Sequence, residues 1–86
     1  MAGPGSTVSG NTANNNGSDG ISANRGATVQ RNTVRLNGGF GLNLSPNIIG
    51  PLAAYRENVV DLNLSGTVLG GVDAGANVCN GTLTCP

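Results

Sequence analysis

The chain has no histidine, lysine or tryptophan, and its only aromatic residues are Phe40 and Tyr55. Lack of histidine removes the commonest general base and the commonest zinc ligand. Charge is equally scarce, at 9% of 86 residues, with four arginines against Asp19, Glu57, Asp61 and Asp73 and a formal net charge of +0. With no basic field to attract a polyanion, nucleic-acid binding is excluded as an expectation, and so is electrostatic anchoring to a membrane. The longest apolar run, residues 48–54, contains Gly50 and Pro51 and falls far short of the ~20 residues that span a bilayer. A chain of this length forms one small domain that buries only about 60–65% of its unfolded surface, so its core must be thin.

What is abundant is Gly, 15 of 86 residues, together with Asn, Ser and Thr, most densely over residues 1–24. Such composition invites a disordered reading, but disordered chains usually combine weak hydrophobicity with high net charge. Here the charge is balanced, and aliphatic residues recur from Val8 to Leu83 at regular places.

That regularity is an internal repeat. A shift of 21 residues aligns residues 5–23 with 26–44 and superposes eight identities in nineteen positions, among them Thr7/Thr28, Val8/Val29, Asn11/Asn32, Asn16/Asn37 and Gly20/Gly41. A shift of 26 places Asn32 on Asn58, Val34 on Val60, Leu36 on Leu62 and Asn37 on Asn63. The five extra residues fall in a loop at 45–51, marked by Pro46, Gly50 and Pro51. A period near 21 is too short for paired-helix repeats, and the β-branched and Gly content disfavours helix. Two alternating groups, Val34-Arg35-Leu36 and Leu42-Asn43-Leu44, predict short strands with the aliphatic side chains inside. Strands this short are stabilised by stacking like on like at ~4.8 Å, which gives parallel sheets along a coil axis.

The pattern Val29-x-x-Asn32-Thr33-Val34-x-x-Asn37-Gly38-Gly39-Phe40-Gly41-Leu42-x-Leu44 resembles the coil of right-handed parallel β-helix proteins. That architecture is shared by pectate-lyase-like enzymes and many bacterial surface proteins. The resemblance covers roughly residues 5–70 and implies an all-β fold, a right-handed single-stranded parallel β-helix of about three rungs. It also implies a stacked asparagine column at a tight turn, with Asn11, Asn32 and Asn58 in that place and Asn16, Asn37 and Asn63 as a second column. For function it is unspecific, because this architecture hosts lyases, hydrolases, adhesins and phage fibres.

The expected organisation is a lead-in over 1–4, rungs over 5–25, 26–51 and 52–72, and a carboxy-terminal cap over 73–86. Residues 66–72 read as a degenerate fourth rung. In the cap, Cys79 and Cys85 can close a disulfide loop, which implies a periplasmic, cell-surface or extracellular setting. Free thiols are the alternative, and a metal site would lack two of the usual four ligands. No matching cap precedes the first rung. The chain therefore reads as the carboxy-terminal portion of a longer β-helix, or as an assembly module that self-associates or continues through its open amino-terminal rung.

No catalytic constellation, metal site or cofactor site is found, and the expectation leans against an enzyme. Glu57 and Asp61 on one extended strand would stand roughly 13 Å apart, beyond the spacing that glycoside hydrolysis uses. The 26-residue shift instead pairs Glu57 with Arg31, Asp61 with Arg35 and Arg56 with Gln30 as surface ladders. The expected function is a non-catalytic structural or surface-binding β-helix segment. Contact with a polysaccharide or cell-surface glycan is the ligand that the resemblance implies, through a flat face carrying Gln30, Arg35, Asn43 and Asp61. The alternative is the carboxy-terminal remnant of a carbohydrate-active lyase or hydrolase whose catalytic rungs lie upstream.

Overall fold

A computed structural model describes residues 5–44 and 52–85. The expected lead-in at 1–4 and the loop at 45–51 lie outside the described residues. Among those described there is no helix, and eleven short strands follow one another: β1 (Thr7–Ser9), β2 (Thr12–Asn14), β3 (Ile21–Ser22), β4 (Thr28–Gln30), β5 (Thr33–Arg35), β6 (Phe40–Asn43), β7 (Ala54–Arg56), β8 (Val59–Asp61), β9 (Gly66–Leu69), β10 (Val72–Asp73) and β11 (Val78–Cys79).

They form three parallel sheets, β1-β4-β7-β10, β2-β5-β8-β11 and β3-β6-β9. Each turn of the chain lays one strand in each sheet, so the fold is a parallel β-helix of three turns with a partial fourth. The register follows the repeat read from the sequence. Val8 lies on Val29, Ala13 on Val34 and Ile21 on Leu42, a step of 21, then Val34 on Val60 and Leu42 on Val68, a step of 26.

Three-residue strands are long enough because only the middle residue must point inward. Val29 and Tyr55 fill the core from the first sheet, Val34 and Val60 from the second, and Leu42 and Val68 from the third. β1, β4 and β7 of the first sheet and β2, β5 and β8 of the second each run into a residue in the left-handed backbone region followed by an asparagine. Gly10, Arg31, Glu57 and Ala76 (φ 70, 56, 56 and 57°) precede Asn11, Asn32, Asn58 and Asn77 at the corner between the first and second sheets. Asn15, Leu36 and Leu62 (φ 57, 56 and 54°) precede Asn16, Asn37 and Asn63 at the next corner. One left-handed residue reverses the pleat and turns the chain onto a new face, at a cost of ~1–2 kcal/mol where the residue is not glycine.

This corner geometry corrects three expectations. Leu36 was placed inside by strand alternation, but the chain bends at that residue and leaves it 49% exposed. Three sheets form where two alternating groups were anticipated, because Thr28–Gln30 is a separate strand ahead of the first corner. Gly66–Leu69 pairs with β6 and so completes the third turn, and the fourth turn begins at Val72 on β7.

Gly41 is required by space. A Cβ there would collide with Cγ1 of Val60 and lie 2.8 Å from Nδ2 of Asn63, both on the turn above.

Candidate functional site

The asparagines at the first corner form a continuous ladder. Asn32 donates to Oδ1 of Asn58 through both its backbone N–H (3.0 Å) and its Nδ2 (3.0 Å), and its Nδ2 also donates to the Val8 carbonyl (3.0 Å). Asn58 repeats the pattern towards Oδ1 of Asn77 and the Val29 carbonyl, each at 3.0 Å. Asn11 donates to Oδ1 of Asn32 from its backbone (2.9 Å) and its side chain (3.3 Å). Asn32, Asn58 and Asn77 are almost wholly buried. Their amides thus serve corner N–H and C=O groups that water cannot reach, as buried backbone requires.

A second ladder runs along the next corner. Asn16 donates to Oδ1 of Asn37, and Asn37 to Oδ1 of Asn63, by backbone and side chain at 2.8–3.0 Å. Both ladders have the same polarity, with donors directed towards the carboxyl end and Oδ1 acceptors towards the amino end.

The two ends of the coil differ. At the carboxyl end, Nδ2 of Asn77 donates to Oδ1 of Asp73 (2.8 Å), so a carboxylate stands where the next Asn Oδ1 would be. The same oxygen accepts from the Gly75 N–H (2.8 Å). Beyond it Cys79 and Thr82 exchange backbone hydrogen bonds (2.8 and 3.1 Å) around Asn80 and Gly81, both at positive φ, giving a two-residue hairpin of the Asn-Gly kind. A Cys79–Cys85 disulfide closes that hairpin, and Cys85 packs against the core.

At the amino end nothing comparable is found among the described residues. Val8 and Ala13 are only partly buried, whereas Val29 and Val34, their equivalents one turn on, are fully covered; on the third sheet, however, Ile21 and Ala23 of the first turn are buried. No described residue donates to Oδ1 of Asn11 or Asn16. In a parallel pair alternate residues turn their N–H and C=O to the same neighbour. Thr28 bonds the Ser6 carbonyl and Gly10 bonds the Gln30 carbonyl, so the backbone groups of Thr7 and Ser9 face outward. By the same alternation, so do those of Thr12 and Asn14.

The acidic side chains are mostly held in structural bonds. Asp19 lies in the first turn but reaches down to the second, accepting from the Phe40 N–H (2.8 Å) and from Asn43 Nδ2 (2.9 Å). Glu57 is 3.5 Å from Arg31 and 3.9 Å from Arg56, in exposed pairs worth at most ~1 kcal/mol. Arg56 also donates to Gln30 Oε1 (2.9 Å). Asp61 lies in register with Arg35, yet no ion pair joins them, and its Oδ1 is buried without a hydrogen-bond partner. Glu57 and Asp61 do not share an extended strand, because the chain turns the corner at Glu57 and Asn58. Burial, and the Asp73 carboxylate after it, hold the Tyr55 phenol above its ordinary pKa of 10.0.

The four residues expected on one sugar-facing surface are divided among three sheets. Gln30 is on the first, Arg35 and Asp61 are on the second, and Asn43 is on the third. No group of three or more His, Cys, Asp or Glu side chains is placed to hold a metal among the described residues. No helix there is long and apolar enough to cross a membrane.

Asn77 and Asp73 were not singled out from the sequence. The step from Asn58 to Asn77 is 19 residues, unlike the two earlier steps, and this irregular spacing hides the corner of the fourth rung, which the sequence reading places at residues 66–72. The signal was local: Ala76-Asn77-Val78-Cys79 repeats the corner Glu57-Asn58-Val59-Val60.

Compared with protein-family models, with curated proteins and with solved structures, the chain matches none. Its architecture therefore stands on its own geometry.

Proposed function

We propose that this chain is a non-catalytic structural β-helix segment that closes a coil at its carboxyl end and offers its first turn as a stacking surface. The observation that carries this reading is the asymmetry of the ends. Both asparagine ladders expose acceptors at the first turn, whereas at the last turn Asp73 caps the first ladder and the Cys79–Cys85 hairpin folds onto the core. The carboxylates support it as well, since Asp19, Glu57 and Asp73 are engaged in bonds between or within turns. The disulfide fits a periplasmic, cell-surface or extracellular placement, where such bonds persist.

Thermal unfolding in the presence of millimolar oligosaccharides tests the reading. A structural segment gives no change in Tm, because no ligand binds the folded state preferentially. A rise in Tm with one oligosaccharide, lost in Asp61→Asn, would replace the structural role with glycan binding at the buried Asp61 oxygen.

A further inference from the structure

The chain carries the pairs Asn16-Gly17, Asn37-Gly38 and Asn80-Gly81, and the fold treats them differently. We infer that Asn80 is a self-modifying site, at which the folded chain loses side-chain ammonia and converts its terminal hairpin to an aspartyl or isoaspartyl form.

The reaction asks three things of an asparagine: a free N–H on the next residue, a polarised side-chain carbonyl, and an amide nitrogen free to leave. The Gly81 nitrogen bonds to Cγ of Asn80 and gives up its proton, the Cγ–Nδ2 bond breaks, and Nδ2 departs as ammonia with that proton. Water then opens the five-membered imide at either carbonyl. One opening leaves an ordinary aspartyl link, and the other an isoaspartyl link in which the main chain runs through the former side chain. No oxidant, reductant or cofactor is consumed.

Asn80 meets all three requirements. Gly81 is exposed with open space at its Cα, and among the described residues its N–H has no acceptor. Nδ2 of Asn80, also exposed, has no partner among them either. Oδ1 accepts the Leu62 N–H (3.0 Å), a donor aimed at the oxygen on which charge develops as Cγ is attacked. This bond departs from the rest of the coil. At the same corner on earlier turns, the Asn15 and Leu36 N–H groups donate to the backbone carbonyls of Arg35 and Asp61. Asn80, at φ 51°, turns into the hairpin and sets its side-chain oxygen in place of that carbonyl.

The other two pairs are held. Asn37 is buried, its Nδ2 donates to the Ala13 carbonyl and to Asn63 Oδ1, and the Gly38 N–H is engaged by the Asn16 carbonyl. Groups bonded in this way react only when the coil opens. Asn16 is exposed, but its Nδ2 is held on Asn37 Oδ1 (2.9 Å). An isoaspartyl link at residue 80 adds a methylene to the main chain inside a two-residue turn, and so breaks the pairing of Cys79 with Thr82.

The test incubates the whole oxidised chain at neutral pH beside the reduced chain unfolded in guanidinium chloride, and follows each asparagine by peptide mapping with mass spectrometry. Unfolded, the three pairs share the same local chemistry and serve as their own references. The expected result is that folding leaves the Asn80 rate within about threefold of its unfolded value and slows Asn16 and Asn37 by about tenfold or more. Isoaspartate should exceed aspartate at residue 80. Slowing of Asn80 equal to that of Asn37, or Asn16 reacting as fast as Asn80 in the folded chain, overturns the inference. Aspartate without isoaspartate at residue 80 would mean direct hydrolysis and overturns it as well.

Discussion

Replacing Asn58 by alanine removes four hydrogen bonds from the driest point of the first ladder. Oδ1 accepts from the backbone and side chain of Asn32, and Nδ2 donates to Asn77 and to the Val29 carbonyl, all at 3.0 Å. Three of the four partners retain another bond: Asn32 Nδ2 still reaches the Val8 carbonyl, Asn77 Oδ1 still accepts the residue-58 N–H, and the Val29 C=O faces β7 in the parallel ladder. The fourth, the Asn32 N–H, loses the asparagine that served it in a fully buried corner. At ~1–3 kcal/mol for an unsatisfied buried group, the substitution costs about 1–3 kcal/mol. A domain of this size has a total stability of roughly 4–13 kcal/mol, so that is a large fraction of the whole. Asn11→Ala is the control, because its two side-chain bonds (3.2 and 3.3 Å) lie at the exposed end, and it should cost less than about 1 kcal/mol. Asn58→Asp keeps the volume but turns an acceptor towards the Asn77 and Val29 oxygens, and should cost at least as much as alanine. Urea unfolding followed by far-UV circular dichroism measures all three. Equal costs for Asn58→Ala and Asn11→Ala, within about 0.5 kcal/mol, would refute the ladder as the source of corner stability.

Four further outcomes follow from the same geometry. Reducing the Cys79–Cys85 disulfide, which closes a loop with sequence separation 6, should lower stability by about 2–2.5 kcal/mol, read as a lower urea midpoint with reductant. Gly41→Ala should cost ~1–3 kcal/mol by forcing Val60 and Asn63 apart, and a neutral result would mean that the two turns are not in van der Waals contact there. Leu62→Asn should raise Tm, since Leu62 is 63% exposed at φ 54° and asparagine tolerates that backbone better; a fall in Tm would mean that the leucine side chain stabilises the coil. The raised Tyr55 pKa makes the folded state hold its phenolic proton longer than the unfolded state. Stability should therefore fall as pH rises from about 10 towards the folded value, and Asp73→Asn, by removing the second cause, should bring the phenol's absorbance titration to lower pH.

The repeat makes most of this fold legible in the sequence. Spacings of 21 and 26 fixed which residues stack, because a parallel coil places equivalent positions directly over one another, and the Val8/Val29 and Val34/Val60 pairs lie in that register. What the spacing could not convey was where the chain bends. Strand alternation assumes continuous pleating, and a single left-handed residue breaks it, which is why Leu36 was placed in the core and lies at the surface. The same bends separate Gln30, Arg35 and Asn43 onto three faces, although all three lie within one repeat. Register also says less than contact does. Arg35 and Asp61 are aligned on adjacent strands, yet alignment alone does not bring a guanidinium onto a carboxylate. The last turn was obscured for a different reason, because its shortened step erased the period while leaving the corner motif intact.

Hydrogen exchange resolved by residue tests the central claim most directly, that the outward amides of β1 and β2 are unpaired while the last turn is hydrogen-bonded into the coil. In the chain alone, the account predicts that the Asn32, Asn58 and Val78 amides, bonded at 2.8–3.0 Å within the ladders and the last turn, exchange only through global unfolding. Thr7, Ser9, Thr12 and Asn14 should exchange orders of magnitude faster. Comparable protection at both groups would contradict the unpaired amides of β1 and β2, and rapid exchange at Val78 would contradict the hydrogen-bonded last turn.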